Sequence, residues 1–369
     1  MPQYCPKFFQ GHSKDGVHDV LGLVRRFVPR NFKLAALGTV VRSPFLTRLF
    51  YLFFSEFSRE YAAVLYGRLA HIREAGAASD DGAKYTLRRN THRLEKGLIM
   101  RPRRDVFAAG YIGETVNIYC SLADDNDESS AMASLLGWAG DVLHRYFEAV
   151  PENVNEKVDR LRRKFLETTQ RHKRPVGERA PFVRDRAPLR INIDDMLELA
   201  KRRRSVRWYE QKPVPREIID QAMLVGGYAP SACNRQPFEF LVFDKPEDAA
   251  RIGSIAMGTV GFAQNFPCLI VIVGQLRAFP FERDRHVPYI DASLAAMGFQ
   301  FALEVQGVSS CCINWPDIEC REKAMADALG LEPDQRVIML MSVGYPDPEG
   351  RVPFSQKKTV DELRSYQTP

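Results

Sequence analysis

No run of apolar residues in this sequence is long enough to cross a bilayer. The densest early stretch, PFLTRLFYLFF at 44–54, is broken by Arg48 and falls short of the ~20 residues that a spanning helix needs. The first residues, MPQYCPKFFQGHSKDG, carry polar side chains and glycine where a secretory leader would have its apolar segment. The seven cysteines are odd in number, with no C-x-x-C pair and no Cys/His cluster of zinc spacing. That excludes a disulfide scaffold and a zinc module and suits a reducing cytoplasm. No G-x-G-x-x-G follows a strand-like run, so a separate Rossmann nicotinamide domain is not expected. Charge of one sign is also scarce outside a single window. Residues 151–210 hold 17 Lys+Arg against 10 Asp+Glu, an excess of seven, so the rest of a chain of net charge +6 sums to −1. Basicity this local points to one site or linker rather than to a nucleic-acid-coating surface, and 157–207 contains no recognisable nucleic-acid module.

What is present suggests two folding units, as 369 residues with 45% hydrophobic content allow. Residues 1–175 read as mainly helical: Leu46, Leu49, Phe50 and Phe53, then Leu135, Trp138, Val142 and Tyr146, recur at three and four. Within that region 41–66 joins five phenylalanines to basic residues at 42, 48 and 59, a pattern suited to a membrane surface or to a packed helix. Residues 176–191, rich in proline and charge without periodicity, read as a linker. From 192 to 369 a helix that Asp194 or Asp195 could cap runs into the arginines, and Pro215 suits a first helical turn. Strand-like runs follow at 238–243, 268–273, 310–313 and 336–343, separated by helical stretches at 246–256, 289–306 and 318–329. The 289–306 helix is apolar on most of its circumference, which predicts enclosure on all sides, part of it by a second subunit.

Four segments carry the chemistry. RRRSVRWY at 202–209 sets four arginines around Ser205; YAPSACNRQPFEF follows about twenty residues on; GVSSCC closes the buried helix; and GYP at 344–346 precedes the basic pair Lys357-Lys358. In this order they resemble the nitroreductase family of FMN-dependent oxidoreductases, over about 192–366. The resemblance implies an α+β fold, a mixed and largely antiparallel sheet flanked by helices. It also implies a homodimer sharing each flavin site, and a ping-pong reaction in which NAD(P)H reduces FMN and an electron-poor acceptor takes the electrons.

Residue by residue, a dianionic phosphate calls for guanidinium forks and hydroxyl donors, which Arg203, Arg204, Ser205 and Lys357 or Lys358 could supply. Arg207 is the candidate cation beside flavin N1 and O2. Pro230, Ser231 and Ala232 would shape the turn around the ring, with Asn234 and Gln236 giving amide contacts. The resemblance places the backbone of Ser309 and Ser310 near N5. The ring's pyrimidine edge then falls to Thr259, Gln264 or Asn265, while Cys311 and Cys312 read as strand packing. No metal site is expected. In the N-terminal half His92, Glu95 and Lys96 fall on one helical face, either as a surface trio or as an acceptor pocket with His92 as proton donor and Glu95 beside it. The rival readings are a flavin-dependent oxidase, dehydrogenase or dehalogenase, and a flavin-holding scaffold without turnover.

Overall fold

The computed structural model describes residues 39–53, 58–74, 81–125 and 129–367. In chain order its elements are α1 (Pro44–Phe53), α2 (Ser58–Glu74), α3 (Asp81–Leu98), α4 (Ile112–Asp124), α5 (Ser130–Ala149), α6 (Glu156–Arg171), α7 (Ile193–Arg202), α8 (Arg216–Gly227), β1 (Phe238–Phe243), α9 (Pro246–Gly253), β2 (Cys268–Gln275), α10 (Val287–Val305), β3 (Ser309–Asn314), α11 (Glu319–Leu329), β4 (Gln335–Gly344) and α12 (Val360–Leu363). They divide into two compact units.

The smaller unit takes the described residues up to Ala62 together with Pro316–Leu331. Its α11 stops at Gly330, whose φ of 66° is the left-handed conformation that glycine adopts without strain. Within the expected amphipathic stretch 41–66 the chain is helical over Pro44–Phe53 and from Ser58 on, with Phe45 and Leu52 exposed; residues 54–57, like the chain's opening, lie outside the described residues. Among the described residues no helix is long and apolar enough to cross a membrane.

The larger unit runs from Ala63 to Trp315 and resumes at Glu332. Its N-terminal part is a bundle of α3 to α6 around Leu87, Leu94, Val116, Tyr119, Leu136, Leu143, Tyr146 and Phe165. Each apolar side chain so enclosed contributes roughly 1.5–3 kcal/mol. α5 begins at a Ser129 cap that accepts the Met132 amide, and α6 at Asn155, which accepts from Val158. Residues 176–191 form no helix or strand, and their start is tied down by Asp141 of α5, buried and accepting the amides of Gly177 (2.7 Å) and Arg179 (2.9 Å).

The C-terminal part confirms the α+β class. Its sheet has the order β1-β2-β4-β3, antiparallel throughout, with one irregularity between Ile272 and Val273. β2 is buried along its whole length, as its uninterrupted CLIVIV run requires of a central strand. One face of the sheet is covered by α8 and α10, where Ile270, Ile272 and Met341 meet Phe299 and Leu303. Two expectations need correction. α7 is capped by Asn192, with Asp195 completing a capping box, so Asp194 and Asp195 are first-turn acids rather than the cap. Pro215 is the N-cap of α8 and lies just outside the first turn. Within the chain α10 buries Ala292, Ala296 and Phe299 and leaves Ile290, Leu294 and Val305 on other faces exposed.

Candidate functional site

The arginine segment and β3 form one surface. After α7 the chain becomes extended, and Ser205 bridges Ser310 in parallel, with the Val206 amide donating to the Ser310 carbonyl at 3.2 Å. Tyr209 locks the segment from below: its buried hydroxyl donates to the Val206 carbonyl at 2.6 Å and meets the Ser342 hydroxyl at 2.8 Å. Burial pushes this phenol far above its ordinary range, so it is a fixed donor and not an acid. The chain after β4 runs back along the same segment, through Tyr209 paired with Pro346 and the Asp347 amide on the Trp208 carbonyl. Arg204 reaches the carbonyls of Pro353 and Phe354 and so anchors the tail that carries Lys357 and Lys358, both exposed.

Among the described residues, two polar atoms in this cluster are buried without a hydrogen-bond partner, the Nε of Arg203 and the hydroxyl of Ser310. Buried groups left in this state cost about 1–3 kcal/mol each. Both belong to residues expected to touch a flavin. Ser309, next to them, donates to Glu304 at 3.4 Å, and Glu304 also receives Arg202 at 3.2 Å. Arg207 stands over the Phe262 ring at 6.0 Å, and its carbonyl accepts Asn265 Nδ2 at 3.0 Å. Of the three residues considered for the pyrimidine edge, Thr259 has its hydroxyl on the Gly253 and Ala256 carbonyls and Asn265 holds Arg207, which leaves Gln264 exposed. Burial pushes the Cys311 thiol up, as suits strand packing.

The second group of expected residues lies elsewhere. Ala232–Asn234 form a short 3-10 turn just ahead of β1, with Cys233, Asn234 and Gln236 at φ of 54°, 52° and 51°. Three non-glycine residues in the left-handed region within four positions store backbone strain, and the surroundings must hold it. Asp291 of α10, 4% exposed, accepts the Ala232 amide at 3.0 Å; the Ser231 hydroxyl accepts the Gln236 amide at 3.1 Å; and Gln236 Nε2 donates to the Gly227 carbonyl at 2.8 Å. The Gln236 side chain thus braces the turn. Burial raises the Asp291 carboxyl above its usual range.

These two groups sit at opposite corners of the sheet. The turn enters β1 at Phe238, level with Gly274, whereas Ser310 of β3 is level with Val343 and, through it, Cys268. They are separated by three strand spacings, roughly 14 Å, and by six residues along the strands, about 20 Å. One chain therefore holds the residues expected to touch a flavin in two separate groups, two candidate half-sites.

The N-terminal bundle reaches the second candidate half-site. α3 packs against the 232–234 turn, and Arg88 Nη1 donates to Gln236 Oε1 at 3.4 Å. His92 follows one turn further along α3, about 6 Å on. Its Nδ1 is 3.5 Å from Glu95, whose other oxygen accepts the Trp138 indole N–H at 2.9 Å; Lys96 is exposed. Glu95 is thus joined to α5. Asp291, Arg88 and Arg235 do not stand out in the sequence; the one signal is an aspartate inside the otherwise apolar run YIDASLAAM.

The Nitroreductase family model matches residues 200–264 and 254–345. The C-terminal half matches the nitroreductase family. Iodotyrosine deiodinase 1 of Rattus norvegicus is 26% identical over 203 residues, covering 47% of this chain and 70% of that protein. A protein of Archaeoglobus fulgidus provisionally named NADH dehydrogenase/NAD(P)H nitroreductase is 27% identical over 157 residues, covering 42% of this chain and 88% of its own length. Among solved structures, an FMN-dependent nitroreductase from Clostridium difficile R20291 aligns with a TM-score of 0.41 and 24% identity, over 47% of this chain and all of that one.

Proposed function

We propose that this chain is an FMN-dependent oxidoreductase that works as a homodimer, each flavin held by the arginine segment of one subunit and the 230–236 turn of the other. The observation that carries the proposal is the unpartnered pair at the first half-site, Arg203 Nε and Ser310 Oγ. A flavin phosphate and ring edge would supply the acceptors and donors that these atoms lack. The exposed apolar residues of α8, its C-cap and α10, Leu224, Tyr228, Ile290 and Leu294, are the surface a second subunit would cover.

FMN, when bound, supplies the two-electron chemistry. Arg203 and Ser205 bind its phosphate, helped by Lys357 or Lys358 on the tail that Arg204 anchors. Arg207 places positive charge beside the pyrimidine side of the ring, and the Ser309–Ser310 backbone lines it. Pro230, Ser231, Ala232 and Asn234 close the site from the partner, and Gln236 holds their turn in shape. His92, one turn from the Arg88 contact, is the proton donor on the acceptor side. NAD(P)H is the electron source and an electron-poor compound, nitro or quinone, the acceptor.

The relatives named iodotyrosine deiodinase favour a second reading, removal of halide from a halogenated aromatic on the same flavin. Stopped-flow mixing of the FMN-loaded protein with NADH and NADPH, followed by a nitroaromatic or a halotyrosine, separates the two. Bleaching of the flavin band within seconds and reoxidation by the nitro compound supports the reductase; halide release supports the second reading. No reduction by either nucleotide and no halide release would contradict both.

A further inference from the structure

Beside the 230–236 turn is a cavity of about 420 Å³, walled by α3, α8, the turn and the start of β1. Lys84, Tyr85 and Arg88 line it from α3 and Arg235 from the turn, while Met223 and Phe238 give it an apolar side.

The two arginines are unusual for their surroundings. Arg235 is only 7% exposed; its Nε has no acceptor, its Nη1 donates to the Ala232 carbonyl at 3.2 Å, and its guanidinium stacks 4.6 Å from the Phe279 ring centre. Arg88 has the long bond to Gln236. Among the described residues neither forms an ion pair with a carboxylate. Burial draws both guanidinium groups below their ordinary range. Arg277 of the same unit is the internal contrast: it is buried too, but Asp334, Glu74 and Glu332 all pair with it, and its guanidinium is pushed up instead. Arg277 is met by three carboxylates, whereas buried Arg235, which feels Asp284 only at a distance, and half-buried Arg88 are ion-paired with none, on the wall of an open cavity. A desolvated charge without a counter-ion is costly, and an anion arriving from solution would offset that cost.

We propose that this cavity is a binding site for a small organic carboxylate, its charged end between Arg88 and Arg235 and its apolar body against Met223 and Phe238. The planar fork of guanidinium suits a carboxylate, and the apolar wall leaves room for more than a bare inorganic ion. The carboxylates at the rim, Asp81 and Glu239, are both exposed, and Asp81 is met by Lys84 at 3.5 Å, so neither neutralises the inner arginines. Because the turn that borders the cavity is the one assigned to the flavin of the partner subunit, the bound carboxylate belongs to the acceptor. That second clause rests on the oxidoreductase reading; the binding site does not.

The test uses the full-length protein, with and without FMN, in calorimetric titrations of benzoate and its neutral isostere benzamide. Benzoate is expected to bind at least tenfold more tightly than benzamide. Arg88→Met, which keeps the length of the side chain, is expected to erase that preference, and Arg88→Lys to keep part of it. Arg235→Met is expected to act like Arg88→Met, and a thermal melt shows whether it folds; Arg88→Met decides the matter if it does not. Equal binding of the two probes, no binding of either, or a preference that survives Arg88→Met would overturn the site. The acceptor clause is read separately, by comparing the Michaelis constant for para-nitrobenzoate with that for its methyl ester. A tenfold lower constant for the acid, with the difference lost in Arg88→Met, supports it. Benzoate binding without that difference, or without any flavin turnover, overturns the acceptor clause alone.

Discussion

The Val206 amide donates to the Ser310 carbonyl at 3.2 Å, and this one bond welds a segment that follows α7 to a strand a hundred residues later. Everything expected of the phosphate side of the flavin site depends on that junction, because it sets Arg203 and Ser205 on the rim of β3.

Arg203→Ala should weaken FMN binding by about ten- to a hundredfold, the loss of a charge-assisted contact worth roughly 1.5–3 kcal/mol. Fluorescence titration of the flavin-free protein reads this directly. An affinity equal to wild type would remove Arg203 from the phosphate site.

Asp291→Leu keeps about the size of the side chain but removes the oxygen that accepts the Ala232 amide. With three left-handed residues in the turn it supports, the variant should lose FMN affinity while retaining its far-UV circular dichroism. Flavin retention after gel filtration is the measurement. Undiminished retention would mean the turn holds its own shape.

Glu95→Ala leaves the Trp138 indole N–H without its acceptor and should cost about 1–3 kcal/mol of stability by urea denaturation. His92→Ala should leave FMN content intact and lower acceptor turnover. If His92→Ala turns over the acceptor as fast as wild type, His92 is only a surface neighbour of Glu95.

How much of this is legible in the sequence differs from element to element. The strand expected at 238–243 is β1, and the run at 268–273 is β2 with two residues added, because an apolar run between turn residues has few alternatives. α4 has no such signal, since its apolar residues come mixed with Gly113, Glu114 and Asn117 and only packing against α3, α5 and α6 brings them together. The site's segments are legible by their order and spacing. Their placement at opposite corners of the sheet is not, because strand order is set by pairing between distant residues such as Leu269 with Ser342. Arg88 and Gln236 are 148 positions apart, and no local pattern links them.

Two further residues test the fold around the site. A Cβ on Gly344 would stand 2.5 Å from Pro267 and 2.8 Å from Tyr209, so Gly344→Ala should cost roughly 1–3 kcal/mol through overpacking. Chemical denaturation measures it; a neutral result would mean that Tyr209 is free to move, against its three hydrogen bonds.

His71 gives a pH dependence. It is buried with Nδ1 2.8 Å from the Arg277 carbonyl, and burial holds its imidazole below the ordinary value of 6.5. Below that value the unfolded chain takes up a proton that the folded chain resists. The folded state therefore loses stability as pH falls from about 7 toward the lowered value, and His71→Gln should flatten that part of the profile. Thermal melts from mildly acidic to neutral pH show the slope; an identical slope in His71→Gln would assign it to other groups.

Mixed dimers show whether each flavin is held by two chains. Arg203→Ala damages the phosphate side, and Asn234→Ala the turn; each variant alone should bind FMN weakly at both sites. Dimers with one subunit of each kind, co-expressed with different tags and purified through both, should contain one site with both lesions and one with neither. The account predicts tight binding of one FMN per mixed dimer. Weak binding at both sites of the mixed dimer, as in either parent, would place the whole flavin site within one chain and contradict it.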